Sequence, residues 1–438
     1  MKKAFFFLLI AAVAGLTIWI RLSNRISLGQ AEILGGVVRT EIGDAERLYY
    51  LTSQWEKRIF FTSGRASASR KTASSLNIDL WEIDAATAEP LSRRRLKRAE
   101  VNLDSTALGM EQGILWARIP ELVGIRLADG VIVVDREKIA QRNPSIAGVF
   151  PKPPETFQML PSSMQPLRFS AEGGMVVRLD DAREVRIDPV TAEATPYIAK
   201  KQDAEPPAEA PPAPPRTEVF SPRNGMDWAA MLRGIVLPPN ADGKKWIGLL
   251  TEPDLAMMLE NSALSSQMDF TKPQRSRLYR ATLHEETSFM GTKIQHQNPT
   301  ALPESPEFLM GGLLIQESSD SYTKSVMWRS EPDSVFVLSR DRLGDEGRMQ
   351  IARISIDKGA PVWSVALPIS NLSAWLPGEH HAIILGPDPS APRSPMAEEN
   401  DNTAHHILSL DLATGEWKSF NPDLHRDWPI EGSTEKSK

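Results

Sequence analysis

Four of the seven histidines form two adjacent pairs, His380–His381 and His405–His406. Imidazole nitrogens bind zinc and related ions, and Glu379, Asp388, Glu398, Glu399 and Asp401 place carboxylates nearby. A shared ion would need both pairs in one place. Each pair instead opens an apolar run, HAIIL or HILSLDL, and the two runs read as antiparallel neighbours. Their starting residues then lie at opposite ends of the ladder, roughly 17 Å apart at about 3.3 Å per residue. Strand-end or surface histidines are expected, and no metal ligand, catalytic residue or cofactor site is assigned.

The other chemical motifs fail on context. The loop PDPSAPRSPMAEENDN (387–402) is rich in oxygen ligands but lacks the spaced acid-and-glycine pattern of a calcium loop. Ser321 and Lys324 have the S-x-x-K spacing, yet they run into strand-like SVMW and no K-T-G follows. His284-Glu285-Glu286 begins like a zinc-protease motif and has no second histidine. The basic cluster LSRRRLKR (91–98) reads as the solvated second strand of a hairpin, whose charges discourage edge-to-edge aggregation. RDRLGDEGR (340–348) is a charged, glycine-punctuated loop. Asp341, Arg342, Asp345 and Glu346 are its candidate contacts for a polar ligand or partner, with salt bridges inside the loop as the alternative.

These residues sit on a repeat. An alternating apolar strand, then D-x-x-T-[AG]-E, then another strand occurs at Asp84 (Thr87, Glu89), Asp188 (Thr191, Glu193) and Asp411 (Thr414, Glu416). SIDKGAPVW offers Asp357 and Gly359 in the same role, and GVIVVDREK offers Asp135. The aspartate accepts downstream backbone N–H groups, and a small residue takes the most constrained position of a tight hairpin. Asp84 to Asp135 is 51 residues, Asp135 to Asp188 is 53, and Asp357 to Asp411 is 54. The 169 residues from Asp188 to Asp357 would hold three more such periods. Periods of this size built from short strands read as β-propeller blades, about seven of four strands each, with six or eight as alternatives.

The turns, with Trp363 and Trp417 just beyond them, resemble the blades of the quinoprotein-like, PQQ-repeat propeller superfamily. LTSQWEKR (51–58), LPESPEFLMGGLL (302–314) and EPDSVFVLSRDRLGDEGRMQ (331–350) are similar to an uncharacterised family of bacterial membrane-anchored propellers. The resemblance implies an all-β fold and no site residues.

Composition narrows the classes. The 438 residues contain no cysteine, so disulfides, thiolate metal sites and cysteine nucleophiles are excluded. That also removes the vicinal disulfide expected of a quinoprotein-type dehydrogenase. Residues 1–25 carry four basic residues and no acids, leaving 46 basic against 56 acidic residues, a net of −10. Nucleic acid is not an expected partner.

Ala4 to Ile20 is uninterruptedly apolar, spans about 25 Å as a helix, and follows Lys2 and Lys3. Residues 1–25 are expected to form an uncleaved signal-anchor, with a cleaved signal peptide as the alternative. The propeller would occupy 33–425 in the periplasm, held to the inner membrane by residues 4–20. A proline-rich loop is expected at 199–218 and a polar tail at 426–438. A short helix is expected at 251–264, with Leu255, Met258, Leu259 and Ala263 on its apolar face and Thr251 as N-cap. The expected function is non-enzymatic: a tethered scaffold that binds an envelope protein or a ligand. The alternative is a propeller enzyme, either a quinoprotein-like dehydrogenase or a hydrolase.

Overall fold

The aspartate repeat folds through a specific set of hydrogen bonds. At Asp188, Oδ1 accepts from the backbone N–H groups of Val190 (2.9 Å) and Thr191 (2.7 Å) and from the Thr191 hydroxyl (3.1 Å). The Asp188 N–H donates to Glu193 O, and the Ala192 N–H returns to Asp188 O. Asp411 repeats this with Ala413, Thr414, Glu416 and Gly415. Those bonds place the residue four past the aspartate in the left-handed region, with φ of 63° at Ala192, 77° at Gly415 and 53° at Ala88. Glycine or a small residue is needed there because a large side chain clashes at positive φ.

The structure is a computed structural model. It describes residues 25–42, 45–63, 68–100, 105–152, 166–170, 174–198, 218–220, 231–232, 234–236, 245–260, 274–288, 291–315, 317–318, 325–326, 334–344, 347–370, 372, 374–376, 380–389 and 406–430. The apolar run at 4–20, Asp345, Glu346 and proline-rich residues 199–217 lie outside the described residues. Among the described residues no helix is long and apolar enough to cross a membrane.

The fold is all-β. The first four-stranded antiparallel ladder is β1 (Arg25–Ile42), β2 (Ala45–Ser63), β3 (Ala68–Asp84) and β4 (Pro90–Ala99). The second is β5 (Thr106–Glu111), β6 (Ile114–Arg118), β7 (Leu122–Arg126) and β8 (Val131–Val134). Helix α1 (Arg136–Arg142) leads to the third, β9 (Leu167–Phe169), β10 (Met175–Arg178), β11 (Glu184–Ile187) and β12 (Ala194–Pro196). Two short strands follow: β13 (Glu218–Phe220) pairs with β1, and β14 (Met231–Leu232) pairs with β19 (Phe308–Ile315).

The fourth ladder is β15 (Gly234–Val236), β16 (Lys245–Leu250), β17 (Arg275–Ser288) and β18 (Gly291–Ala301), with helix α2 (Glu252–Leu259) after β16. The small pair β20 (Glu317–Ser318) and β21 (Ser325–Val326) precedes β22 (Ser334–Arg340), β23 (Met349–Ser355) and β24 (Pro361–Ala366), which complete the fifth ladder with β19. The sixth is β25 (Ala374–Leu376), β26 (His381–Gly386), β27 (His406–Asp411) and β28 (Trp417–Phe420). Six such ladders lie among the described residues, where the period arithmetic gives about seven. The arithmetic divides the interval from Asp188 to Asp357 evenly. That interval holds one long ladder, Gly234 to Ala301, 68 residues against the 51–54 of the period.

The chain falls into two compact units, residues 1–84, 89–220 and 422–438 in one and residues 85–88 and 221–421 in the other. In the first unit, Leu51, Leu76, Ile78 and Leu80 of the first ladder pack against Leu115, Ala117 and Ile125 of the second. The opposite face of the second ladder, with Trp116 and Leu122, meets Met175, Val177, Val185 and Ile187 of the third. In the second unit, Ile247, Leu249 and Leu278 pack on Val335 and Val337, while Phe336 and Leu338 face Ile384, Leu408 and Leu410. Middle ladders are thus buried on both faces, which explains continuous apolar runs such as VFVL.

Two turns differ from the sequence pattern. Asp135 makes no hairpin; it is the N-cap of α1 and accepts from the Lys138 N–H at 2.8 Å. The second ladder's outer hairpin lies earlier, where Gly130 (φ 70°) donates to Arg126 O. In SIDKGA, Ser355 holds the aspartate's place and Gly359 (φ 78°) donates to it, whereas Asp357 is two residues further on with its side chain 86% exposed. Five ladders therefore close their third and fourth strands with the same turn, starting at Asp84, Arg126, Asp188, Ser355 and Asp411. Helix α2 has Thr251 in a capping box with Asp254 and buries Met258 against Trp246, Leu250 and Ala281. Leu259, assigned to its apolar face in the sequence, is 63% exposed.

The outer turns also fasten consecutive ladders. The carbonyl one residue into the turn accepts a side chain from the preceding ladder. Arg94 donates to Leu127 O, Arg280 to Ile356 O, and both Arg353 (3.2 Å) and the Trp363 indole (3.1 Å) donate to Leu412 O. Trp363 also lies over Gly415, where an added Cβ would come within 2.7 Å of its ring. Gly415→Ala is therefore expected to destabilise the protein by at least about 1–2 kcal/mol in urea unfolding. Ala192→Gly, which relieves positive φ but removes a buried methyl, is expected to be near neutral.

Candidate functional site

RDRLGDEGR is held by its own chain. The Asp341 N–H donates to Arg348 O (3.1 Å), Asp341 Oδ1 accepts from the Arg348 N–H (2.8 Å), and Arg340 Nη1 donates to Gly347 O (2.7 Å). Arg342 Nε lies 3.6 Å from the same Asp341 carboxylate. The described half of this candidate is thus a self-paired turn, and its other two residues, Asp345 and Glu346, lie outside the described residues.

The histidine pairs are set by the β26–β27 register. His381 lies opposite Asp411, with Nε2 3.8 Å from its carboxylate, and His406 lies opposite Gly386 at the other end. Five residue steps, at about 3.3 Å each, hold the two ends roughly 17 Å apart. His406 is buried, with Nε2 3.3 Å from Asp388 Oδ2 and 3.2 Å from Asn421 Nδ2, and Asn421 Nδ2 lies 3.4 Å from the same Asp388 oxygen. With a proton on Nε2 the ring donates to Asp388, whose Oδ2 also accepts from Asn421 Nδ2.

The densest polar constellation was not among the expected sites. Strand β3 sends Leu76, Ile78 and Leu80 to one face and Asn77, Asp79 and Trp81 to the other. On that second face the pairing forms three rows: Tyr50–Trp81–Arg93, Thr52–Asp79–Arg95 and Gln54–Asn77–Arg98. Asp79, 1% exposed, receives Arg93 Nη2 at 2.7 Å and Nε at 2.9 Å, and also pairs with Arg95. Arg93, 5% exposed, lies 4.9 Å over the Trp81 ring and donates to Arg426 O at 2.9 Å. Glu56 receives Asn77 Nδ2 (3.1 Å), Arg98 Nη2 (3.0 Å) and Arg58. Asp423 Oδ1 accepts the Ala31 N–H (3.1 Å) and Gln54 Nε2 (3.4 Å). The start of the expected polar tail is therefore docked on the first ladder.

The expectation of a solvated basic strand fails here for a physical reason. The arginines of β4 face the alternating polar set of β3, so two strands that each look amphipathic neutralise one another across their shared face. The signal was in the sequence: L-N-I-D-L-W alternates a carboxylate with apolar residues, and only a cation on the next strand permits burial of that charge.

Desolvation pushes the Glu56 carboxyl up, but hydrogen bonds from Arg58 and Asn77 and the charge of Arg98 outweigh it and hold the group below its ordinary range. Burial pushes the Tyr50 hydroxyl well up and keeps it protonated.

A β-bulge between Ile78 and Asp79 shapes the other side of β4. Arg95 pairs with Asp79 but Lys97 pairs with Ile78, so Leu96 and Lys97 both turn toward the second ladder. There they meet a half-open cleft of about 320 Å³ whose apolar lining is Leu96, Ile119, Pro120, Leu122, Val123 and Ile132. That volume is at the low end for a small-ligand pocket. Lys97, Glu121 and Asp135 supply its polar groups. Among the described residues Lys97 Nζ reaches only Ile119 O, at 3.5 Å, while Glu121 is paired with Arg136 at 3.3 Å. The arrangement suits reversible binding of an apolar group beside a negative charge.

Removing Asp79 would leave Arg93 buried without its counter-charge, so Asp79→Ala is expected to cost about 3–5 kcal/mol in denaturant unfolding. Glu56, with its lowered pKa, adds stability that is present above the unfolded value and lost as pH falls through the lower folded value. Stability should therefore decline below about pH 4.3, and Glu56→Gln should flatten that acid limb in pH-dependent unfolding. Comparison with protein-family models finds no match to the chain, and no curated protein matches it.

Proposed function

We propose that the chain is a membrane-tethered, extracytoplasmic β-propeller that binds an envelope protein or ligand without catalysing a reaction. The observation that carries this reading is a join that recurs between consecutive four-stranded ladders: the second, fifth and sixth each offer the same outer-turn carbonyl to the ladder before. A propeller repeats one blade-to-blade contact around a ring. The parallel approach of β1 and β5 at Gly35 and Ala107 is what innermost strands of adjacent blades make. Docking of residues 423–426 on the first ladder is the contact that a closing ring requires of its C-terminus.

The tether is the apolar run Ala4–Ile20 behind Lys2 and Lys3, inserted in the inner membrane with the ladders in the periplasm. Binding is supported by the cleft beside β4, and by charges such as Asp79 and Glu56 that are committed to arginines within the fold rather than poised for proton transfer. The resemblance to quinoprotein-like propellers enters as a likeness of blades. The sequence has no cysteine to form the vicinal disulfide of the dehydrogenases.

The test uses the full-length protein purified from membranes. Expected are a C-terminal reporter active in the periplasm, an absorbance spectrum with no band beyond the aromatic region, and one partner recovered reproducibly after cross-linking. A reporter active only in the cytoplasm overturns the location. A bound quinone chromophore or stoichiometric calcium overturns the non-enzymatic reading.

A further inference from the structure

We infer that strand β4 and its adjoining cleft take an extended acidic peptide with a large apolar anchor, supplied by a partner protein. This rests on the binding-module reading and names the surface and the chemistry of what it binds. Among the described residues strand β4 ends its sheet and pairs with β3 alone. An edge strand offers a row of backbone groups on which a further strand can form, and main-chain bonds of that kind tolerate many sequences.

Selectivity comes from the side chains beside that edge. The bulge turns two consecutive residues, Leu96 and Lys97, into the same cleft, which alternation alone cannot do. Leu96 joins the buried Leu122 and Val123 in an apolar floor, and Ile132, 42% exposed, stands at the mouth. A large aliphatic or aromatic side chain of an added strand would bury Ile132 and displace water from that floor.

The charges select the flanking residues. Lys97 is exposed and has no carboxylate partner among the described residues. Of the two acids at the cleft, Glu121 is paired with Arg136, and Asp135 uses Oδ1 to cap α1. Along β4, Arg93 and Arg95 share the single carboxylate of Asp79, and Arg98 shares that of Glu56 with Arg58. The excess at the edge is positive, so glutamate or aspartate beside the anchor is favoured and a basic peptide is disfavoured.

The probe is a fluorescein-labelled octapeptide alternating glutamate and leucine, titrated by anisotropy against the full-length protein in detergent. Saturable binding that weakens with added salt is expected. Lys97→Glu should weaken it by about fivefold, the size of one exposed ion pair. Ile132→Asp should reduce it further, and a lysine–leucine octapeptide should not compete. Both substitutions are at exposed side chains, and an unchanged unfolding midpoint certifies each variant. Absence of saturable binding, equal binding of the basic peptide, or indifference to Lys97→Glu overturns the inference. So does concentration-dependent dimerisation that Ile132→Asp abolishes, since the occupant would then be a second copy. Cross-linking separates the two levels: if wild type and the Lys97→Glu/Ile132→Asp variant recover the same partner equally, this surface fails while the scaffold reading stands. Recovery of no partner by wild type, with the octapeptide still bound, removes the scaffold reading and leaves the surface.

Discussion

One backbone atom recurs at three joints of this structure: the carbonyl one residue into the outer turn of the second, fifth and sixth ladders. Leu127, Ile356 and Leu412 each present it, and Arg94, Arg280 and the Arg353–Trp363 pair each fill it. The turn must have one shape for that carbonyl to point outward, and the shape depends on a residue at positive φ four positions along. Hence the glycines and alanines at 88, 130, 192, 359 and 415. A local backbone constraint and a long-range contact are therefore the same constraint.

Between ladders the faces are mainly apolar and tolerate variation in packing. The first ladder is different, because one of its faces carries buried charge. A buried guanidinium–carboxylate set contributes little net stability over apolar packing, since desolvation offsets much of the attraction. It does impose geometry. Asp79 must meet Arg93 and Arg95, Arg93 must lie on Trp81, and the remaining donor of Arg93 must find Arg426 O. Only one docking of the C-terminal segment satisfies all of these, so the network selects an arrangement more than it strengthens one. The bulge between Ile78 and Asp79 lies in this same ladder, and it turns Leu96 and Lys97 toward the cleft.

Much of the β architecture was legible because it rests on local chemistry. D-x-x-T-[AG]-E specifies its own hydrogen bonds within six residues, and the periodic spacing followed from it. Where local chemistry is degenerate, the reading failed. An aspartate after an apolar run also caps a helix, which is what Asp135 does, and a serine can replace the turn aspartate, as Ser355 does. In the interval before Asp357 no turn motif marks the β17–β18 hairpin, and the described residues there include the long ladder Gly234–Ala301. Of the RDRLGDEGR candidates, Asp341 and Arg342 are engaged with their own loop. The surface now assigned to binding depends on residues the sequence presented as an ordinary solvated edge.

The sequence by itself determined the strand class, the recurring turn, the absence of cysteine chemistry and the opposite placement of the histidine pairs. Each follows from residue types within a few positions of one another, where backbone geometry leaves few choices. Only the tertiary structure decided which basic residues are buried, which side of β4 Lys97 occupies and where the C-terminal segment lies. Those outcomes depend on cross-strand register and on a single bulged residue, which reverses the facing of every side chain beyond it. No periodicity in one strand can specify that, because register is set jointly with the strand it pairs with.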